Sequence, residues 1–323
     1  MPQPSLSQVH VNRPLTDMSV AFLQSAEDFV SGRVFPDLMV NKKSDDYFEY
    51  PRGFWAADEM KKRAPGTESA GGGYEVQTKS YNCDVWALHK DVPDQIRDNA
   101  DEALNPDREA TEWLTQQWMI RKEREWGTNF FTTGLWTGST TGSDIVPGTK
   151  WDNASSDPIA DVRAQVRSMK LKSGQRPNKM VVTPVVDEAL RVNATIREMV
   201  KYVQPTGADD ITPALLASLF GIGEYLVAEG AVNTAKEGAT ATFEYILGSD
   251  QVGLFYAAPS PGLMTPSAGY VFGWRYPGGG ANGQTIANFR MEHLKCDRVE
   301  IEASWDQKLI ASDMGVFFND VLT

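Results

Sequence analysis

Residues 105–131, NPDREATEWLTQQWMIRKEREWGTNFF, constrain the fold more than any other stretch. Asn105 is a natural N-cap, because its side chain accepts a hydrogen bond from a free first-turn amide. Pro106 suits the first helical position, where a missing donor costs nothing. Asp107 and Glu109 set negative charge at the positive end of the helix dipole. Gly127 is the expected stop. At ~1.5 Å per residue, a helix over 106–126 spans roughly 30 Å, a full domain width. Ala110, Trp113, Leu114, Trp118 and Ile120 fall on one broad side, whereas Met119 and Trp126 point the other way. Arg121 and Arg124 interrupt the apolar side, and Arg121 can pair with Glu125. Such faces suit either the central helix of an α/β enzyme or a strut touched on several sides.

A chain of 323 residues accommodates one large or two ordinary domains. Its 41% apolar and 23% charged residues are those of a globular protein. No run approaches the ~18 apolar residues of a membrane span, and the start, MPQPSLSQVHVNRP, lacks a signal-peptide pattern. Two cysteines, Cys83 and Cys296, are too few for a disulfide framework, so reduced thiols and an intracellular folding site are expected. A net charge of −12 argues against a dedicated nucleic-acid binder but leaves room for a local basic patch. Nine tryptophans fit a core or subunit interfaces equally well.

Early prolines (Pro2, Pro4, Pro14) disfavour regular structure at the N-terminus. Val20, Leu23, Ala26 and Phe29 suggest a short amphipathic helix ended by Gly32, and VFPDLMV follows, broken by Pro36. This arm cannot form a core and must lie across its own subunit or a neighbour. YFEYPRGFW (47–55) and YEVQTKSYNCDVWAL (74–88) read as strands. The charged, glycine-rich segment between them is too polar to bury. The pair is either an ordinary hairpin with a surface loop or one that projects from the body. Gly71–Gly73 is no phosphate cradle, since neither GK[ST] nor a strand-to-helix context accompanies it.

A Gly/Ser/Thr-rich connector at 132–156 marks the expected internal boundary, and an α/β texture follows. Asp157 caps a helix whose Ile159, Val162, Val166 and Met169 share a face, closed by Gly174. NKMVVT (178–183) is a buried strand, Pro184 opens a helix through Leu190, and Ile196, Met199, Val200 and Val203 carry helical spacing. TPALLASLFG ends at Gly221. EYLVAE (224–229), FEYILG (243–248), VGLFYA (252–257) and YVFGW (270–274) read as strands, and YPGGGANG (276–283) as a loop. In RVEIEASW (298–305), Val299, Ile301, Ala303 and Trp305 alternate with polar residues, a strand with one wet face. With IANFRMEHL (286–294) it forms a two-stranded ending suited to packing on the long helix.

Catalytic signals are weak. The histidines are His10, His89 and His293, and HLKCD (293–297) lacks the further ligands that zinc needs. GxSxG, HExxH, GxGxxG and Walker patterns are absent. Asp45–Asp46 and Asp209–Asp210 read as solvated surface charges. No enzyme activity, cofactor or metal is expected.

The order of parts, together with RAPGTESAGGGYEVQTKSYNCDVWALHKDVPDQIRDNAD (63–101), NPDREATEWLTQQ (105–117), APSPGLMTPSAGYVFGW (258–274) and FRMEHLKCDRVE (289–300), resembles the major capsid proteins of tailed double-stranded-DNA bacteriophages. That resemblance covers nearly the whole chain. It implies an α+β fold with an N-terminal arm (1–45) and an extended β-hairpin loop (46–90). A peripheral domain (91–156 and 286–323) would be built on the 106–126 spine helix, beside an α/β axial domain (157–285). It further implies self-assembly as pentamers and hexamers into an icosahedral shell around the genome, in a virion assembled in the bacterial host cytoplasm. Scaffolding, portal and decoration proteins are implied partners, and no membrane. Many relatives carry a removable N-terminal scaffolding segment; an arm beginning near Met1 leads to the expectation of a separate scaffold or none. Trp55, Lys61, Lys62, Arg63, Tyr74, Tyr81 and Trp86 are the expected inter-subunit contacts of the hairpin. Arg13, Lys42 and Lys43 are expected to face the lumen and to bind DNA weakly without sequence preference. An encapsulin compartment of the same fold is the nearest alternative, an α/β enzyme a remote one.

Overall fold

The computed structural model describes residues 24–100, 105–203, 211–262, 265–275 and 284–323. Arg13, Val20, Leu23, Asp209, Asp210 and the 276–283 loop lie outside the described residues.

In chain order the helices are α1 (Ser31–Val34), α2 (Arg52–Trp55), α3 (Asp94–Asp98), α4 (Pro106–Phe130), α5 (Pro158–Ser173), α6 (Pro184–Val192), α7 (Ala194–Val203) and α8 (Pro213–Phe220). Helix α4 begins as expected, with Asn105 Oδ1 accepting from Arg108 N at 3.1 Å. It does not stop at Gly127 but runs through it to Phe130. A Cβ at 127 would lie 2.6 Å from Leu247 Cδ2, so glycine there permits a close approach rather than a helix end.

The buried face of α4 also differs from the expected one. Trp113 is exposed, while Ala110, Leu114, Lys122, Trp126 and Phe130 are buried. These positions step by four or eight residues. With 3.6 residues per turn each four-residue step overshoots by about 40°, so the stripe rotates by roughly 200° along the helix. Its first half meets Val92, Val299 and Ile301. Further along, Trp126 meets Phe35, Phe131 and Phe255. The helix is therefore a strut packed on several sides.

Two sheets flank it. The first is centred on β12 (Cys296–Leu309). On one side runs β4 (Asp84–Pro93); on the other lie β11 (Gln284–Met291) and then β10 (Gly269–Trp274), which pairs in parallel with β1 (Asp37–Val40). Val299, Ile301, Ala303 and Trp305 are buried while Glu300 and Glu302 stay half-exposed, a period-2 pattern that lapses at Ser304, which is buried too. The second sheet is ordered β13 (Gly315–Phe318), β9 (Val252–Phe255), β5 (Lys179–Val182), β6 (Glu224–Val227). Its β5–β6 pair is parallel, and the connection between them carries α6, α7 and α8. Asp157, Thr212, Gly174 and Gly221 cap their helices as the sequence leads one to expect.

Hairpins project from this body. Strand β2 (Ser44–Glu49) pairs with β3 (Gln77–Asn82), and β7 (Ala231–Asn233) with β8 (Phe243–Tyr245). The 47–55 segment is not one strand: β2 stops at Glu49 and Arg52–Trp55 forms a helical turn, since Pro51 has no amide to continue a ladder. Likewise 74–88 divides at Cys83, whose N–H donates to Lys43 O at 2.9 Å.

The segment 29–37 crosses α4 as a strap. Val30, Val34 and Phe35 are fully buried. Glu123 accepts from Val30 N at 3.1 Å and Ser31 N at 2.9 Å, and Lys122 Nζ donates to Asp37 at 2.8 Å. The part of the arm expected to lie on some subunit thus lies on its own.

Charges knot the base of α4 to the sheet. Arg97 pairs with Asp107 and Asp297, Arg290 with Asp94 and Asp297, and Arg298 with Asp91. Hydrogen bonds from Arg290, Arg97 and Arg298 hold the carboxyls of Asp94, Asp297 and Asp91 below their ordinary range. A depressed folded-state pKa adds stability above the unfolded value, ~4, which is lost as pH falls through the lower folded value. The melting temperature is therefore expected to fall below about pH 4, and Asp297→Asn to lower it at pH 7 while shallowing that acid limb. An unchanged acid limb in the variant would count against the knot.

Candidate inter-subunit surface

The β2–β3 hairpin divides into a packed stem and a bare tip. At the stem, Tyr81 is buried and stacks on Phe272, with ring centroids 4.6 Å apart. Tyr47 leans on the same ring at 5.3 Å. Trp86, at the start of β4, stacks on Trp305 at 5.8 Å under the Arg121 guanidinium, 4.1 Å from its ring. Glu125 meanwhile accepts from Trp305 Nε1 and still feels the Arg121 charge, so both side chains also serve the helix–sheet interface.

At the tip, Tyr50, Trp55 and Tyr74 form a ring cluster with centroids 5.2–6.2 Å apart. Its members stay open, with Trp55 54% and Tyr74 60% exposed. Phe48, Phe54, Met60 and Val76 are also exposed nearby in the chain. All of 56–76 is exposed, Lys61, Lys62 and Arg63 included, and Arg63 Nε donates to the carbonyl of Thr67. The expected contact residues therefore separate: Trp55, Lys61, Lys62, Arg63 and Tyr74 gather at the tip, whereas Tyr81 and Trp86 contact rings of their own chain. Tyr50, another of the aromatic residues of the 47–55 segment, joins the cluster.

Lys42 pairs with Asp45 at 2.9 Å, and Lys43 is exposed at the start of the hairpin. HLKCD is the β11–β12 turn, with Lys295 at a φ of 50°, Cys296 buried and Asp297 in the charge knot. Among the described residues no group of His, Cys, Asp and Glu is placed to hold a metal, and no helix is long and apolar enough to cross a membrane. Both cysteines are free and buried. Burial pushes the Cys83 thiol up to about 12, so at pH 8 alkylation of native protein is expected to be far slower than after denaturation. Equal rates would show the thiol to be open.

The sequence matches no known protein-family profile and no curated protein. Solved structures do match. A phage-related protein of Bordetella bronchiseptica RB50 superposes with a TM-score of 0.68 at 18% identity, over 92% of this chain and 94% of that one. The capsid of cyanophage P-SCSP1u gives 0.60 at 9% identity over 95% and 91%. The SrpI encapsulin of Synechococcus elongatus PCC 7942 gives 0.56 at 13% identity over 96% and 94%. These define a fold class used by protein shells. Within it, this mixed helix-and-sheet chain has the major capsid fold of the phage structures that it matches.

Proposed function

We propose that this chain is a phage major capsid protein that assembles as pentamers and hexamers into an icosahedral head around double-stranded DNA. The observation that carries this reading is the capsid fold over almost the whole chain combined with an aromatic hairpin tip that its own subunit leaves open. A two-stranded hairpin is marginal alone in water, and exposed rings of this kind are typical of protein contacts. The role is structural, without catalysis. In this reading the β12-centred sheet with α4 forms the peripheral body, the β5-centred sheet forms the axial body, and 46–90 reaches a neighbour. Lys42 and Lys43, with Arg13, face the lumen, where DNA contact is weak, salt-sensitive and independent of sequence. Scaffolding, portal and decoration proteins complete the particle in the host cytoplasm.

Sedimentation and cryo-electron microscopy of freshly expressed protein, with and without any companion scaffold, test the reading. Closed particles with symmetric capsomers are expected. A stable monomer under every condition would overturn it. Particles from native cells filled with an enzyme rather than nuclease-protected DNA would move the assignment to an encapsulin, the second shell type that the fold matches.

A further inference from the structure

Among the described residues, a ladder edge lies open where the hairpin leaves the body. Strand β4 pairs with β12 only as far as Asp84 opposite Trp305. Beyond that point β3 turns away to pair with β2, and a crevice of about 580 Å³ opens between the two. Thr78, Lys79 and Ser80 line one wall; Gln307, Lys308 and Leu309 line the other.

The direction of the backbone groups follows from the pairing. Val271 lies opposite Gln307, and its N–H donates to Pro36 O on the far side of β10. In an antiparallel pair both residues then point their N–H and C=O away from each other. Gln307, and Leu309 two positions on, therefore direct theirs toward the crevice. The Gln307 side chain adds a second unmet requirement. It is 5% exposed and its Nε2 donates to Lys122 O at 3.0 Å, while its Oε1 is buried without a donor among the described residues. A buried carbonyl of this kind carries a desolvation cost until a donor arrives.

The geometry points to an occupant in extended conformation, residues 68–75 of a second copy of this chain, added as a strand between β12 and β3. This rests on the shell-forming reading and specifies where one copy's tip seats on the next. Segment 68–75 is Glu-Ser-Ala-Gly-Gly-Gly-Tyr-Glu. It is exposed throughout, and among the described residues none of its backbone groups has a backbone partner. Three glycines without Cβ atoms can approach a narrow slot closely. Glu68 and Glu75 flank them, complementary to Lys79 and Lys308 at the walls. Those lysines already touch Glu49 and Asp306, but each ammonium keeps further donors. Strand addition of this type draws affinity from main-chain bonds.

Hydrogen exchange on wild-type shells and on the same subunits dissociated gives the first test. Amides in 307–309 and 70–73 should slow by at least about tenfold on assembly; no change in either segment would overturn the inference. Identity of the occupant comes from shells mixed from Gly73→Cys and Ser80→Cys subunits. A Cβ at 73 meets nothing within 4 Å, so that variant should fold. Oxidation should yield covalent dimers in mixed shells and none in shells of either variant alone. Slowed exchange without the disulfide would mean another occupant, and would overturn the assignment to 68–75. Should wild-type protein form no shells, the functional reading fails and this inference with it; shells without dimers sink the inference alone.

Discussion

Deleting residues 60–73 and bridging the gap with two glycines is expected to leave the subunit's circular dichroism and melting temperature nearly unchanged while abolishing or misdirecting shell closure. The first half follows from exposure. All of 56–76 faces water, so its removal takes no apolar area from the core. The stem stays anchored by Tyr81 stacked on Phe272 and by the β2–β3 ladder. The second half follows from repetition. A single exposed ion pair contributes ~0–1 kcal/mol, but a closed shell repeats each contact in every copy. Electron microscopy of the assembly reaction reads the outcome. An unfolded subunit would place the tip in the core, and normal particles would reduce it to a surface loop.

Trp126→Ala should be the most damaging single substitution in the isolated subunit. Its ring is fully buried and touches Phe35 of the strap at 6.0 Å, Phe131 at 5.6 Å and Phe255 of the second sheet at 6.0 Å. Removing it opens a cavity where strap, helix and both layers meet, for which ~3–5 kcal/mol is the usual cost. In urea, a midpoint shift equivalent to less than about 1 kcal/mol would show that the site can collapse. Trp126→Phe should recover part of the loss. It keeps an aromatic ring in place and drops an indole N–H that has no acceptor among the described residues.

Much of the local structure was legible in the residues themselves. Asn105, Asp157 and Thr212 carry caps, Gly174 and Gly221 carry left-handed stops, and the 298–305 alternation carries a one-sided strand. These signals act between near neighbours, so sequence spacing reports them. The capsid resemblance likewise rested on strings spread along the chain, and the fold agrees with it. Other features depend on partners far away in sequence. Gly127 looked like a helix end, yet Leu247 explains it. Glu123, a charged residue in mid-helix with no local sequence signal for burial, is buried against Val30 and Ser31. Tyr81 and Trp86 looked like hairpin rings meant for a neighbouring subunit, yet Phe272 and Trp305 of the same chain receive them. Caps, turns and periodicity were thus decided by the sequence alone. Which helix face is covered, which charge is buried and which rings remain open were decided by tertiary packing, because burial belongs to two surfaces brought together and neither carries the other's pattern.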